Sequence, residues 1–217
     1  MATLTIESYD EILDALDCEN TNSILELFST YDLEPHSTLL DAPRLCFNDE
    51  LLTYLDYAIA YNLTNILDLF IDDMNLVIDD EVIARSIYLN TLDTYKYFCD
   101  LGYTPEGESL KASIKMCYSE ISDFILSENC ELIEVIDEDD IDFLFSEEID
   151  EQTVETVRVL INYSINPNLF NKKLADLLEQ KDKYLEDGDD YGDDCNAECD
   201  ITLELIDLLS GCNISFD

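Results

Sequence analysis

Two periodicities predict an all-α fold, a solenoid of about five to six stacked helical hairpins. Apolar residues recur at helical spacing in pairs of short segments, and the pairs themselves recur every 27 to 28 residues. The punctuation agrees: five Gly and four Pro in 217 residues leave little for the many tight turns of a β architecture. With 47% hydrophobic residues the chain can bury a substantial core, so it is expected to be a single helical-repeat domain over 1–217 rather than a disordered chain.

The repeat is clearest in the middle. Leu51, Leu52, Leu55, Ala58 and Ile59 fall on one helical face, and after a break at Asn62-Leu63-Thr64 a second face follows in Ile66, Leu67, Phe70 and Ile71. A shift of 28 carries Leu55, Ile59, Asn62 and Phe70 onto Ile83, Ile87, Asn90 and Phe98. A further shift of 27 carries Ser86-Ile87 and Tyr97-Phe98 onto Ser113-Ile114 and Phe124-Ile125. Helix pairs are expected before these (Glu11 to Leu16, Ser23 to Phe28) and after them (Ile141 to Phe145, Val154 to Ile161), with a last pair at Lys172 to Lys183 and Ile201 to Leu209. The repeats then span 8–35, 51–77, 80–105, 108–133 and 140–168, and 169–217 forms a C-terminal cap.

Boundaries follow from local chemistry. Gly102, Pro167 and Gly211 suit chain reversals after helices, and Asp80, Asp140 and Asn168 are candidate N-caps. Residues 29–50, with Pro35, Pro43 and the only His, His36, interrupt the period as a long connection. The acidic run 184–200 is expected to be an exposed, mobile insertion in the last pair.

Paired short helices at this period, ending in Phe98-Cys99-Asp100-Leu101-Gly102-Tyr103-Thr104-Pro105 and in Leu160-Ile161-Asn162-Tyr163-Ser164-Ile165-Asn166-Pro167-Asn168, resemble the second helix and outgoing loop of ankyrin repeats, over residues 8 to 170. The second segment echoes the family's "LL..GA..N" pattern. The family's opening TPLH tetrapeptide is absent, and its usual period is about 33, so the β-hairpin fingers are expected to be shortened or missing. The chain is similar to the degenerate ankyrin type common in large DNA viruses. The resemblance implies a module that binds partner proteins on the face formed by first helices and loops, and it brings no catalytic residues.

Charge dominates the composition: 52 Asp and Glu against 10 Lys and Arg, a net charge of −42. A field of that sign attracts basic proteins and cations and argues against direct nucleic-acid binding. The partner implied is a basic protein surface, such as that of a nucleic-acid-binding protein. One alternative is a nucleic-acid mimic that inhibits a DNA- or RNA-binding protein, motivated by Met116 to Val157, which holds 15 acidic residues and no Lys or Arg; a second is a calcium-binding acidic protein. No basic segment followed by an apolar one opens the chain, and no apolar run reaches membrane-spanning length, so a cytoplasmic or nuclear, reducing compartment is expected. The eight cysteines, scattered and mostly within helical patterns, read as buried reduced thiols.

Enzyme chemistry finds little to use. One His in a connecting segment offers no Ser-His-Asp or Cys-His arrangement, no nucleotide-binding or HExxH spacing occurs, and no catalytic residue or cofactor is expected. Cys195, Cys199 and Cys212 match no zinc spacing and read as helical. Asp187, Asp189, Gly192 and Glu198 occupy positions 1, 3, 6 and 12 of an EF-hand-like loop, but Tyr191 and Asp194 break its pattern, leaving a weak calcium candidate. Partner contacts are expected from Tyr54, Tyr57, Tyr61, Tyr88 and Tyr118, with half-buried packing between repeats as the alternative, and from the acidic run Asp137, Glu138, Asp139 and Asp140.

Overall fold

The structure, a computed structural model, describes residues 4–39, 51–146, 149–186 and 195–211; side chains in 182–186 and 195–199, and that of Gln180, are outside the description. The named elements of the described residues are all helices, and Thr38 and Thr53 form an isolated bridge. The chain forms two compact units, Met1–Thr104 and Pro105–Asp217.

The first unit holds three hairpins: α1 (Ile6–Asp17) with α2 (Thr21–Tyr31), α3 (Tyr54–Ala60) with α4 (Thr64–Asp72), and α5 (Asp80–Tyr88) with α6 (Leu92–Asp100). α3 packs on α5 and α2 on α4, so like helices of adjacent hairpins meet. The second unit holds α7 (Gly107–Lys115) with α8 (Ser119–Glu128), α9 (Glu138–Leu144), α10 (Glu151–Asn162), and α11 (Asn171–Glu186) with α12 (Cys195–Ser210). There α7 packs on α9, while α10 packs on α8 and on α12. Short 3-10 turns at Cys130–Val135 and Pro167–Phe170 lead into α9 and α11.

One turn recurs within the hairpins. Glu19, Asn62, Asn90 and Cys117 each sit in the left-handed region at φ of 49°, 52°, 53° and 56°. The next amide donates to the carbonyl five residues back: Asn20 to Ala15, Leu63 to Ala58, Thr91 to Ser86, Tyr118 to Ser113. This ends one helix and aims the chain into the next, as a left-handed C-terminal cap does. The second helices end similarly: α2, α6 and α10 are followed by Asp32, Gly102 and Ser164 at positive φ, and Leu33, Tyr103 and Ile165 donate to Phe28, Phe98 and Leu160. Gly102, at φ 108°, adopts a backbone that a Cβ would strain.

The apolar register predicted from the sequence forms the core: Ile59, Ile87 and Ile114 on first helices, and Phe70, Phe98 and Ile125 on second helices, are all buried. The described part of the long connection is held by the first unit. Amides of Leu55 and Tyr54 donate to Pro35 and Ser37 carbonyls at 2.8 and 3.2 Å, and that of Leu39 to Leu52 at 2.9 Å. Pro43 lies outside the described residues, and His36 is exposed in a turn.

Several boundaries differ from expectation. Asp79, not Asp80, caps α5, because its extended backbone lets its carboxylate reach the Val82 amide. Asp137 caps α9 and Asp140 stands at the third helical position, closing a reciprocal capping box. Asn166 rather than Asn168 caps the turn before α11, and Pro167 opens that turn instead of ending α10, which stops at Asn162. The acidic run expected as a loop over 184–200 is helical at both ends, since α11 reaches Glu186 and α12 begins at Cys195. The buried-thiol expectation also fails where it can be seen: Cys18 and Cys130 are exposed and Cys99 and Cys117 half-buried. Cys18, Cys117 and Cys130 stand at helix ends or in turns, off the core-facing stripe.

Candidate interaction surface

Buried positions fix which acids face solvent. On α1, Ser8, Ile12, Ala15 and Leu16 face inward, and so Glu7, Asp10, Asp14 and Asp17 form an exposed stripe on the opposite side. Among the described residues no ion pair neutralises that stripe. Like charges three or four apart cost a helix a few tenths of a kcal/mol per pair, and α1 carries several, tolerable only because its inner face is well buried.

Among its described residues the first unit has few cations to offset these acids. Its described basic residues are Arg85 and Lys96. Arg85 is buried: Nη1 donates to Oδ1 and Oδ2 of Asp56 at 2.9 and 3.1 Å, and Nη2 reaches Glu81 at 2.9 Å. Asp56 is fully buried and also accepts from the Thr53 amide at 2.8 Å and hydroxyl at 2.7 Å. This pair joins α3 to α5 and contributes nothing positive to the surface.

At the C-terminal end of α1, Asp17 accepts the Tyr57 hydroxyl at 2.6 Å, and Glu19 accepts the Asn65 amide and side-chain nitrogen at 3.3 and 2.8 Å. Tyr57 stacks on Tyr61 with ring centroids 4.6 Å apart, and Tyr61 is 63% exposed. Burial and the Asp17 carboxylate push the Tyr57 phenol well above its ordinary range, so it stays a donor. Tyr97 repeats the device by donating to Asp68 at 2.5 Å. Phenols thus join hairpins of this unit alongside the Arg85–Asp56 pair.

In the second unit cations cluster around α9. Lys111 Nζ lies 3.0 Å from Asp137 and 2.9 Å from Asp140, and Lys115 lies 3.2 Å from Asp140 and 5.7 Å from the Phe143 ring. Lys172 pairs with Asp142 at 2.7 Å, Lys173 sits 5.0 Å over Phe145, and Arg158 bridges Glu155 and Glu204. The Lys111 ammonium and the Asp140 amide hold the Asp137 carboxyl below the usual carboxylate range. Bonds to Asp140 and Asp137 in turn raise Lys111.

These placements divide the residues expected to contact a partner. Tyr54 is removed from any surface: it is fully buried, 5.0 Å from Phe28, and burial pushes its phenol up to about 12. Asp140 is removed too, being buried and paired with two lysines. Tyr57, Tyr88 and Tyr118 are half-buried; Tyr118 marks the turn into α8. Tyr61, Asp137, Glu138 and Asp139 are exposed, with Asp137 held by Lys111. Asp187 and Asp189 lie outside the described residues and Glu198 falls within α12; among the described residues no group of His, Cys, Asp or Glu is arranged to hold a metal. The α1 stripe and the Asp56–Arg85 pair were not anticipated; Thr53 three residues before Asp56 was the visible capping signal.

No protein-family model, no curated protein and no solved structure matches the chain. Among the described residues no helix is long and apolar enough to cross a membrane.

Proposed function

We propose that this protein is a non-catalytic binding module, built of ankyrin-like helical hairpins with shortened connecting loops, whose acidic surface docks on a basic protein partner inside the cell. One observation carries it: among the described residues of the first unit the exposed carboxylates far outnumber the cations, which are Lys96 and an Arg85 buried against Asp56. Desolvating such a surface against neutral protein is unfavourable, whereas a basic partner supplies the missing charge and is steered to it. The repeated turn and the contacts of α3 with α5 and α7 with α9 support the repeat reading within each unit. The nucleic-acid mimic loses part of its motive, since acids within 116–157 are met by Lys111, Lys115 and Lys172 from outside that stretch.

The test is capture of partners from a cell extract at two ionic strengths, with the bound proteins identified and their affinities remeasured pure. Basic partners whose affinity falls steeply with salt are expected. Partners of neutral or acidic charge, or affinity indifferent to salt, overturn the proposal. Competition by duplex DNA for the captured protein would return the mimic to first place.

A further inference from the structure

We infer that Tyr61, backed by Tyr57 and flanked by Asp17, anchors an arginine side chain of the basic partner; this rests on the docking function proposed above. The Tyr61 ring is 63% exposed although it stacks at 4.6 Å on a neighbour that is itself fixed. The fixing is visible: the Tyr57 hydroxyl donates to Asp17 Oδ1 at 2.6 Å, which locks one ring and so presents the other as a rigid face. Rigid aromatic faces bind with little loss of side-chain entropy.

Three features select a guanidinium. The ring faces attract cations, and arginine stacks on them better than lysine because its planar head is more weakly hydrated. Asp17 ends the exposed α1 stripe of Glu7, Asp10 and Asp14 and holds the Tyr57 hydroxyl, so carboxylates lead up to the stacked pair through Tyr57. The last turn of α1 holds no basic residue, so backbone amides cap its carbonyls but no side-chain cation offsets the negative helix end beside Asp17. An apolar occupant would leave Asp17 and the helix end facing it without a charge partner, and an acidic one would be repelled.

Titration of the full chain with oligo-arginine and oligo-lysine peptides of equal length, at low and at physiological salt, tests this with Tyr61→Ala, Tyr61→Phe and Asp17→Asn. The wild type should prefer oligo-arginine. Tyr61→Ala should weaken oligo-arginine about fivefold and remove the preference, while Tyr61→Phe keeps both. Asp17→Asn, which still accepts the Tyr57 hydroxyl, should weaken both peptides. If Tyr61→Ala binds both peptides as the wild type does, with salt dependence intact, the anchor is overturned and acidic docking stands. If neither peptide binds at low salt, both are overturned.

Discussion

At the scale of single residues, Arg85 is buried against Asp56. Asp56 has no exposure, and four hydrogen bonds from Thr53 and Arg85 satisfy its carboxylate. Replacing one partner of such a pair strands the other charge at a cost of about 3 to 5 kcal/mol, whereas replacing both can approach neutrality. Arg85→Met is therefore expected to lower the urea midpoint of the first unit sharply, and Asp56→Leu added to it should recover part of the loss, less the capping box that Asp56 completes. Additive losses would mean the pair is not coupled. In the second unit, Asp137 is held below its unfolded pKa, so its contribution is complete above about pH 4 and disappears as pH falls through the depressed value. In Lys111→Met the carboxyl titration of Asp137, followed by NMR, should move upward toward the ordinary range. These roles were only half legible. Thr53-x-x-Asp56 announced a cap, yet nothing local showed that a helix 29 residues on would deliver a guanidinium to it. The full burial of Tyr54 was not legible, because Phe28, which covers it, comes from α2 of the preceding hairpin, where the connection over 29–50 breaks the period.

At the scale of elements, the hairpin turn is the unit that repeats, and it places strain unevenly. Asn62 and Asn90 tolerate left-handed backbone, while Cys117 at φ 56° bears the ordinary Cβ penalty of about 1 to 2 kcal/mol. Glycine removes that penalty but loses about 0.5 to 1 kcal/mol to chain entropy. Cys117→Gly should therefore stabilise the second unit slightly, by under about 1 kcal/mol, and Asn90→Gly should be near neutral; thermal unfolding of the two variants gives the comparison. Phe98 fills the core position equivalent to Phe70, and Phe98→Ala should cost on the order of 3 to 5 kcal/mol. An unchanged unfolding midpoint in Phe98→Ala would break the equivalence. Helical pairs and their register were legible because burial enforces the 3.6-residue period on both helices and the turn fixes the offset between them. Ends were less so: Asp79 and Asp80, or Asp137 and Asp140, have the same chemistry, and only backbone angle decides which caps.

At the scale of the whole molecule, a charge of −42 on 24.9 kDa sets repulsion against folding. Two opposing effects respond to salt. Screening weakens the exposed pairs Lys172–Asp142 and Arg158–Glu204, each worth about 0 to 1 kcal/mol, and so destabilises. It also weakens repulsion among the many exposed carboxylates, which stabilises, and the pairs buried around Asp56 and Asp140 are screened least. With 52 acids against 10 bases the repulsive sum has far more members than the attractive one, so relief of repulsion wins. Raising sodium chloride from about 0.01 M to about 0.15 M shortens the screening length from about 30 Å to about 8 Å. The Tm of the free protein should therefore rise by several degrees over that interval, followed by differential scanning calorimetry at constant pH, while affinity for a basic partner falls over the same interval. A Tm that drops with salt would place the balance in the ion pairs and leave the carboxylates without the mutual repulsion that makes a basic partner favourable.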